Sequence, residues 1–292
     1  MSVAVAVKVH DGLVLAADSA TTILTGTRDV YNVYNHANKI FNLYKMRPVG
    51  AMSWGLGSIG VSSVSTIAKD LRARLMGEHP TDDRFKVDPH KHSVEDIAVK
   101  AKQFLEEKYN AEYGSEQERK DLGMGFFVGG YSTDASLPEQ YLIEFGDDGA
   151  CSDPTPWAKD LDASLASFAM DYAIHRLVKG VGYDMGYVLK DLVADEKDIP
   201  YIIELMEDRM NAPLVHPAMP IKDAIDLAEF LVQTEISFTR FLPGASMVGG
   251  EVEVAAISKH EGFKWIRRKH YYGFTLNPRP EPTIPQENEK PG

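Results

Sequence analysis

The chain opens on alternation. Val3-Ala-Val-Ala-Val-Lys-Val9 steps between β-branched and small residues, and Leu13-Val-Leu-Ala-Ala17 is a second apolar run. His10-Asp11-Gly12 stands between them as a tight-turn signal, so a hairpin is predicted with residue 2 at the head of its first strand. Residues 39–44 and 48–54 predict two more strands, joined by a polar turn at Lys45–Arg47. Gly55-Leu-Gly-Ser-Ile-Gly60 is a small-residue loop. After it the period changes, and Ile67, Leu71 and Leu75 fall on one helix face. Ser93, followed by Glu95 and Asp96, predicts a capped helix start, with the helix running to about Tyr109. Residues 125–131 and 140–145 form another strand pair, with Gly146–Gly149 as the turn beyond. Residues 160–179, 184–194, 198–210 and 219–240 read as helices, bounded by Pro200, Pro213, Pro217 and Pro220. Residues 251–257 alternate as a strand, and 263–266 follow the Glu261-Gly262 turn.

This order lacks the strand–helix alternation of a parallel doubly wound sheet. Two antiparallel sheets packed together, with helix pairs outside each, use every segment. The expected fold is therefore α+β, a four-layer αββα sandwich. One domain is expected over 1–270, with 271–292 as a Pro-rich, extended or disordered tail.

Composition removes several function classes. The 292 residues carry a formal net charge of −12, which argues against a nucleic-acid partner and against an anionic membrane surface. Arg267-Arg268-Lys269 is the densest basic cluster and reads as a solvated strand edge. One cysteine, Cys151, allows no internal disulfide. No stretch reaches the roughly 18 apolar residues of a membrane span, and the first residues do not form a signal peptide. A cytoplasmic protein is expected. His79, His90 and His92 lie in a charged connector and read as solvated, not as metal ligands. Gly55-x-Gly57-x-x-Gly60 has the spacing of a dinucleotide fingerprint but not its βαβ surroundings. No cofactor or metal is expected.

The chemistry-bearing candidates lie near the first strands. A serine hydroxyl needs a base to become a useful nucleophile. Once Met1 is removed, Ser2 is the N-terminus, and its own α-amine, with a pKa of roughly 7.7–8.0, can take the proton. Such a site also needs a cation near the hydroxyl, a carboxylate to hold that cation, and a backbone N–H for the oxyanion. Lys39, Asp18 and Gly55 are the candidates in that order.

The run Ser2-Val-Ala-Val-Ala-Val-Lys-Val-His-Asp-Gly-Leu-Val-Leu-Ala-Ala-Asp-Ser19 resembles the start of a proteasome β-type subunit, an N-terminal-nucleophile (Ntn) hydrolase. Asn38-Lys39-Ile40, Gly50–Gly57, Phe127–Tyr131, Tyr141–Gly149 and Met247–Val254 continue the likeness, in the style of the bacterial proteasome-like ring peptidases. The resemblance implies a threonine-type endopeptidase with serine in the threonine's place. Ser2 would be the nucleophile, Asp18 the orienting acid, Lys39 the cation and Gly55 the oxyanion donor. Substrate would lie extended past Thr21, Ala37, Phe41, Ser53 and Gly57. The family supports the nucleophile's amine with an acid and a serine near the penultimate strand. Here Gly244-Ala-Ser-Met-Val-Gly-Gly250 leaves Ser246 as the polar candidate. The implied substrates are peptides or unfolded proteins, and the implied assembly is a homo-oligomeric ring or double ring. An ATP-dependent unfoldase is a candidate partner on the same ground. The rival expectations are a catalytically silent ring subunit and an Ntn amidase acting on a small substrate.

Overall fold

A computed structural model describes residues 2–24, 30–119, 122–146, 148–193, 195–244 and 247–269. Ser246 and the tail from 271 lie outside the described residues.

The first hairpin forms as its pattern dictates. Strands β1 (Val3–Val9) and β2 (Gly12–Ala17) pair antiparallel, with Val9 opposite Gly12 across a two-residue turn. A short hairpin follows, β3 (Thr21–Leu24) with β4 (Val30–Tyr34). Next come β5 (Ile40–Asn42), β6 (Val49–Gly55), and the two-residue strands β7 (Ser58–Ile59) and β8 (Ser62–Ser63). Helix α1 (Val64–Leu75) starts on Ser63, whose side chain accepts from Thr66 N, and α2 (Val94–Glu112) starts on Ser93, which accepts from Asp96 N. After α3 (Glu116–Arg119) run β9 (Met124–Gly130), β10 (Glu139–Phe145), β11 (Thr155–Pro156) and β12 (Ser164–Ala169). Helices α4 (Tyr172–Lys179), α5 (Met185–Lys190), α6 (Ile199–Met210) and α7 (Ile221–Thr239) precede β13 (Glu253–Ser258) and β14 (Gly262–Arg267).

The larger strands form two five-stranded antiparallel sheets, in the orders β12-β1-β2-β13-β14 and β11-β10-β9-β6-β5. Both faces of β1 and β2 are buried, which explains their unbroken aliphatic character. Val3, Val5 and Val7 pack with Ile174 of α4 and with Ala228, Leu231 and Val232 of α7. Ala4, Ala6, Leu13 and Leu15 face the other way, onto Met52, Trp54, Phe127 and Leu142 of the second sheet. That sheet's opposite face meets Ile67 and Leu71 of α1 and Ala101 and Leu105 of α2. Among the described residues, no helix is long and apolar enough to cross a membrane.

One predicted helix is corrected. Residues 160–179 are not continuous helix: Ser164–Ala169 is strand β12, and helix begins only at Tyr172. The side of β1 turned away from β2 needs a partner for its backbone, and β12 supplies it as the edge strand, from Val3↔Ala169 to Lys8↔Ser164. Pairing overrides the local helical tendency of Leu165 and Ala166.

Candidate active site

The site is built at one end of the β1–β2 ladder. Ser2 is buried, at 2% exposure, and its carbonyl accepts from Met170 N at 2.8 Å. The next residue, Val3, is held on both sides of its peptide. Its carbonyl accepts from Asp18 N at 3.2 Å, while its own N–H donates to Asp18 Oδ1 at 3.0 Å. The Asp18 side chain thus stands in for a strand carbonyl where the ladder runs out.

Asp18 is fully buried. Its Oδ1 also accepts from Lys39 Nζ at 2.5 Å, and its Oδ2 accepts from Ala20 N at 3.1 Å and Gly249 N at 3.0 Å. A buried carboxylate is tolerated when its lone pairs are answered and a countercharge is present, and both conditions hold. Lys39, 5% exposed, is fixed through its main chain as well. Its carbonyl accepts from Ser53 N at 2.9 Å, and its N–H donates to Glu253 Oε2 at 3.4 Å. Burial pushes the Lys39 ammonium below the usual lysine range, and the adjoining Asp18 carboxylate works against that shift.

The structure ties two of the other sequence candidates, Ala37 and Ser53, to the segments that carry this pair. Gly55 ends β6 with φ +83°, and a Cβ there would lie 2.4 Å from Gly123 O, so glycine alone fits. Thr21 is seated against Gly57: a Cβ on Gly57 would lie 2.2 Å from Thr21 Oγ1. Ala37 N donates to Ser19 O at 2.9 Å, tying the strip before Lys39 to the residue after Asp18. Ser53 is buried. Phe41 turns towards α1, within the helix-side core, and its ring lies 6.3 Å from that of Phe126. It also lines a cavity of about 170 Å³ together with Asn38, Ile40, Ser65, Arg72 and Glu253.

Four residues of the site escaped the sequence reading. Gly249 supplies a donor to Asp18. Ser19 Oγ donates to Glu251 O and accepts from Lys269 Nζ at 2.6 Å. Lys269 is also bonded to Ala37 O and stands 3.7 Å from Glu253 Oε2. The Arg267–Lys269 cluster is therefore not a solvated edge throughout. Arg267 and Arg268 are exposed, but Lys269 is 6% exposed and points into the site. Glu253 is fully buried. Desolvation pushes its carboxyl up, with the Lys269 charge opposing, and pushes the Lys269 ammonium down, with Glu253 opposing. Alternation puts Glu251 and Glu253 on one face of the strand and does not tell them apart; only the fold buries Glu253 and says what it faces.

The histidine connector is structural where it is buried. His92 Nε2 lies 2.9 Å from Tyr131 O, and its ring stacks on Tyr44 at 6.4 Å. Among the described residues, no three His, Cys, Asp or Glu side chains are grouped to hold a metal.

No family model matches the sequence, and no curated protein matches it. Solved structures do. The chain is similar to Anbu (ancestral beta-subunit) from Yersinia bercovieri, at 14% identity and a TM-score of 0.52, covering 94% of this chain and 91% of that one. It is similar also to the Anbu complex from Pseudomonas aeruginosa, described as a helical assembly, at 15% identity and a TM-score of 0.53, covering 92% and 88%. The likeness is one of fold. It corrects the family resemblance read from the first strands: these neighbours are Anbu proteins, proteasome-like but a family distinct from the β-type subunits.

Proposed function

We propose that this chain is an assembling subunit that hydrolyses amide bonds with Ser2 as nucleophile after Met1 is removed. The three apolar clusters read as the interfaces of a four-layer αββα sandwich of Ntn-hydrolase type, formed by one domain. The observation that carries the proposal is the shared Asp18 oxygen. One carboxylate joins the peptide immediately after Ser2 to a buried lysine, so residue 2 and the Lys39 charge are held in one frame.

In this reading the Ser2 hydroxyl attacks the substrate carbonyl carbon and passes its proton to the Ser2 α-amine. Lys39 favours the developing alkoxide by its charge, and the Gly55 N–H faces the oxyanion of the tetrahedral intermediate. Collapse expels the leaving amine, which takes the proton back from the α-ammonium and leaves an acyl ester on Ser2. Water, deprotonated by the same amine, then releases the acid and restores the hydroxyl. Peptides are the leading substrate class. The seating of Thr21 on Gly57 favours a second reading, an amidase for a small acyl substrate, because it narrows the lane an extended strand would occupy.

Intact-mass analysis after treatment with a peptide epoxyketone tests the chemistry, since that reagent needs both the hydroxyl and the free amine. One adduct is expected, absent in Ser2→Ala. No adduct on protein shown to lack Met1 would sink the nucleophile reading and leave a silent assembly subunit.

A further inference from the structure

The frame around Lys39 holds more charge than one ion pair requires. Two cations and two carboxylates, each at most 6% exposed, adjoin one another: Asp18, Lys39, Glu253 and Lys269. Burying four ionisable groups is costly unless each is answered, and the contacts run in a connected order. Asp18 holds the Lys39 ammonium, Glu253 Oε2 holds the Lys39 N–H, and Lys269 faces that same Glu253 oxygen. Lys269 also bonds Ser19 Oγ and Ala37 O, and Ser19 in turn bonds Glu251 O and Gly249 O. A residue just beyond β14 thereby ties the segment after β2, the segment before β5 and the entry to β13.

We propose that Glu253 and Lys269 are positioning residues for Lys39, a second ion pair that fixes where the Lys39 chain runs and balances the charge its ammonium meets. The proposal rests on the reading of Lys39 as the cation beside Ser2. Among the described residues, the charged groups facing Lys39 are Asp18 from the end of β2, Glu253 from β13 and Lys269 from beyond β14. Arg268 acts on Glu253 from the solvent side. Glu253 favours the charged form of Lys39, and Lys269 opposes it by like charge.

The balance makes opposed predictions for two near-isosteric changes. In Glu253→Gln, Lys39 loses an attracting carboxylate and should titrate at lower pH than in the parent chain. In Lys269→Met it loses a repelling ammonium, and Glu253 stays ionised at the alkaline pH where lysine titrates, so Lys39 should titrate at higher pH. The double variant removes both charges and should return towards the parent.

The measurement is trace labelling with acetic anhydride against pH, quantified on the Lys39 peptide by mass spectrometry, in full-length protein whose fold is checked by circular dichroism. A purely structural pair would lower stability in all three variants without opposed shifts. Coincident Lys39 titrations in the folded variants, or shifts of one sign, overturn the proposal even if the epoxyketone adduct forms. Opposed shifts in a chain that takes no adduct would keep the array and overturn the Ser2 reading. If one single variant does not fold, the sign in the other and the return in the double decide the matter.

Discussion

Asp18 shows how much a single side chain can coordinate. Its donors come from β1, from the next turn of its own segment, from the lead-in to β5 and from the stretch before β13. Cys151 is the contrasting residue, the lone thiol and no part of this network. Burial, with Glu106 and Asp153 nearby, pushes that thiol up to about 12. The thiolate is the reactive form, so at pH 8 native protein should react with iodoacetamide about a thousandfold more slowly than the chain in urea, the gap narrowing as pH rises. Equal rates would mean that the thiol is not shielded. At this scale the sequence reading singled out Ser2, Asp18, Lys39 and Gly55 as candidates, and the structure joins the peptide after Ser2 to the Lys39 ammonium through Asp18. Glu253 and Lys269 were out of its reach. They are neighbours of Lys39 only through sheet order, more than two hundred residues away in the chain, and a charged residue beside Arg267 and Arg268 carries no local sign of burial.

Among the elements, β12 separates what local pattern can and cannot tell. Leu161, Leu165 and Phe168 are spaced as one helix face as readily as they fit a strand, and period alone does not decide. What decides is the side of β1 that β2 leaves unpaired, which β12 fills, and the seat for Phe168. That ring stacks on Trp54 with centroids 4.3 Å apart and meets Trp157 at 5.4 Å and Phe127 at 5.7 Å. Phe168→Ala should cost about 3–5 kcal/mol in urea unfolding and shift Trp54 emission to the red. A cost under about 1 kcal/mol would show that β12 docks loosely. Gly125, paired with Trp54 across β9 and β6, gives a converse control. A Cβ there would lie 2.1 Å from the indole, so Gly125→Ala should destabilise by overpacking, by about 1–3 kcal/mol. The long aliphatic strands were legible because burial on both faces leaves no polar position to confuse the pattern. The hairpin β3–β4 was missed because its strands are short and its residues largely exposed.

At the scale of the molecule, two sheets bring the chain's first described residue, the β13 entry and the end of β14 to one place. The expected assembly is tested by sedimentation. A closed ring gives one discrete mass, a fixed multiple of 32.4 kDa, over a wide concentration range. A head-to-tail contact that fails to close gives masses that grow with concentration. A species at the mass of one chain at every concentration would overturn the assembly reading. The tethering of Ser2 has a practical meaning for anyone producing this protein. Its carbonyl is bonded to Met170, the following peptide is clamped by Asp18, and almost none of its surface reaches solvent. On the reading proposed above, a purification tag fused ahead of residue 2 would keep the Ser2 amine locked in a peptide bond, so it could not take up a proton. Handles for isolating or immobilising the chain belong at its other terminus.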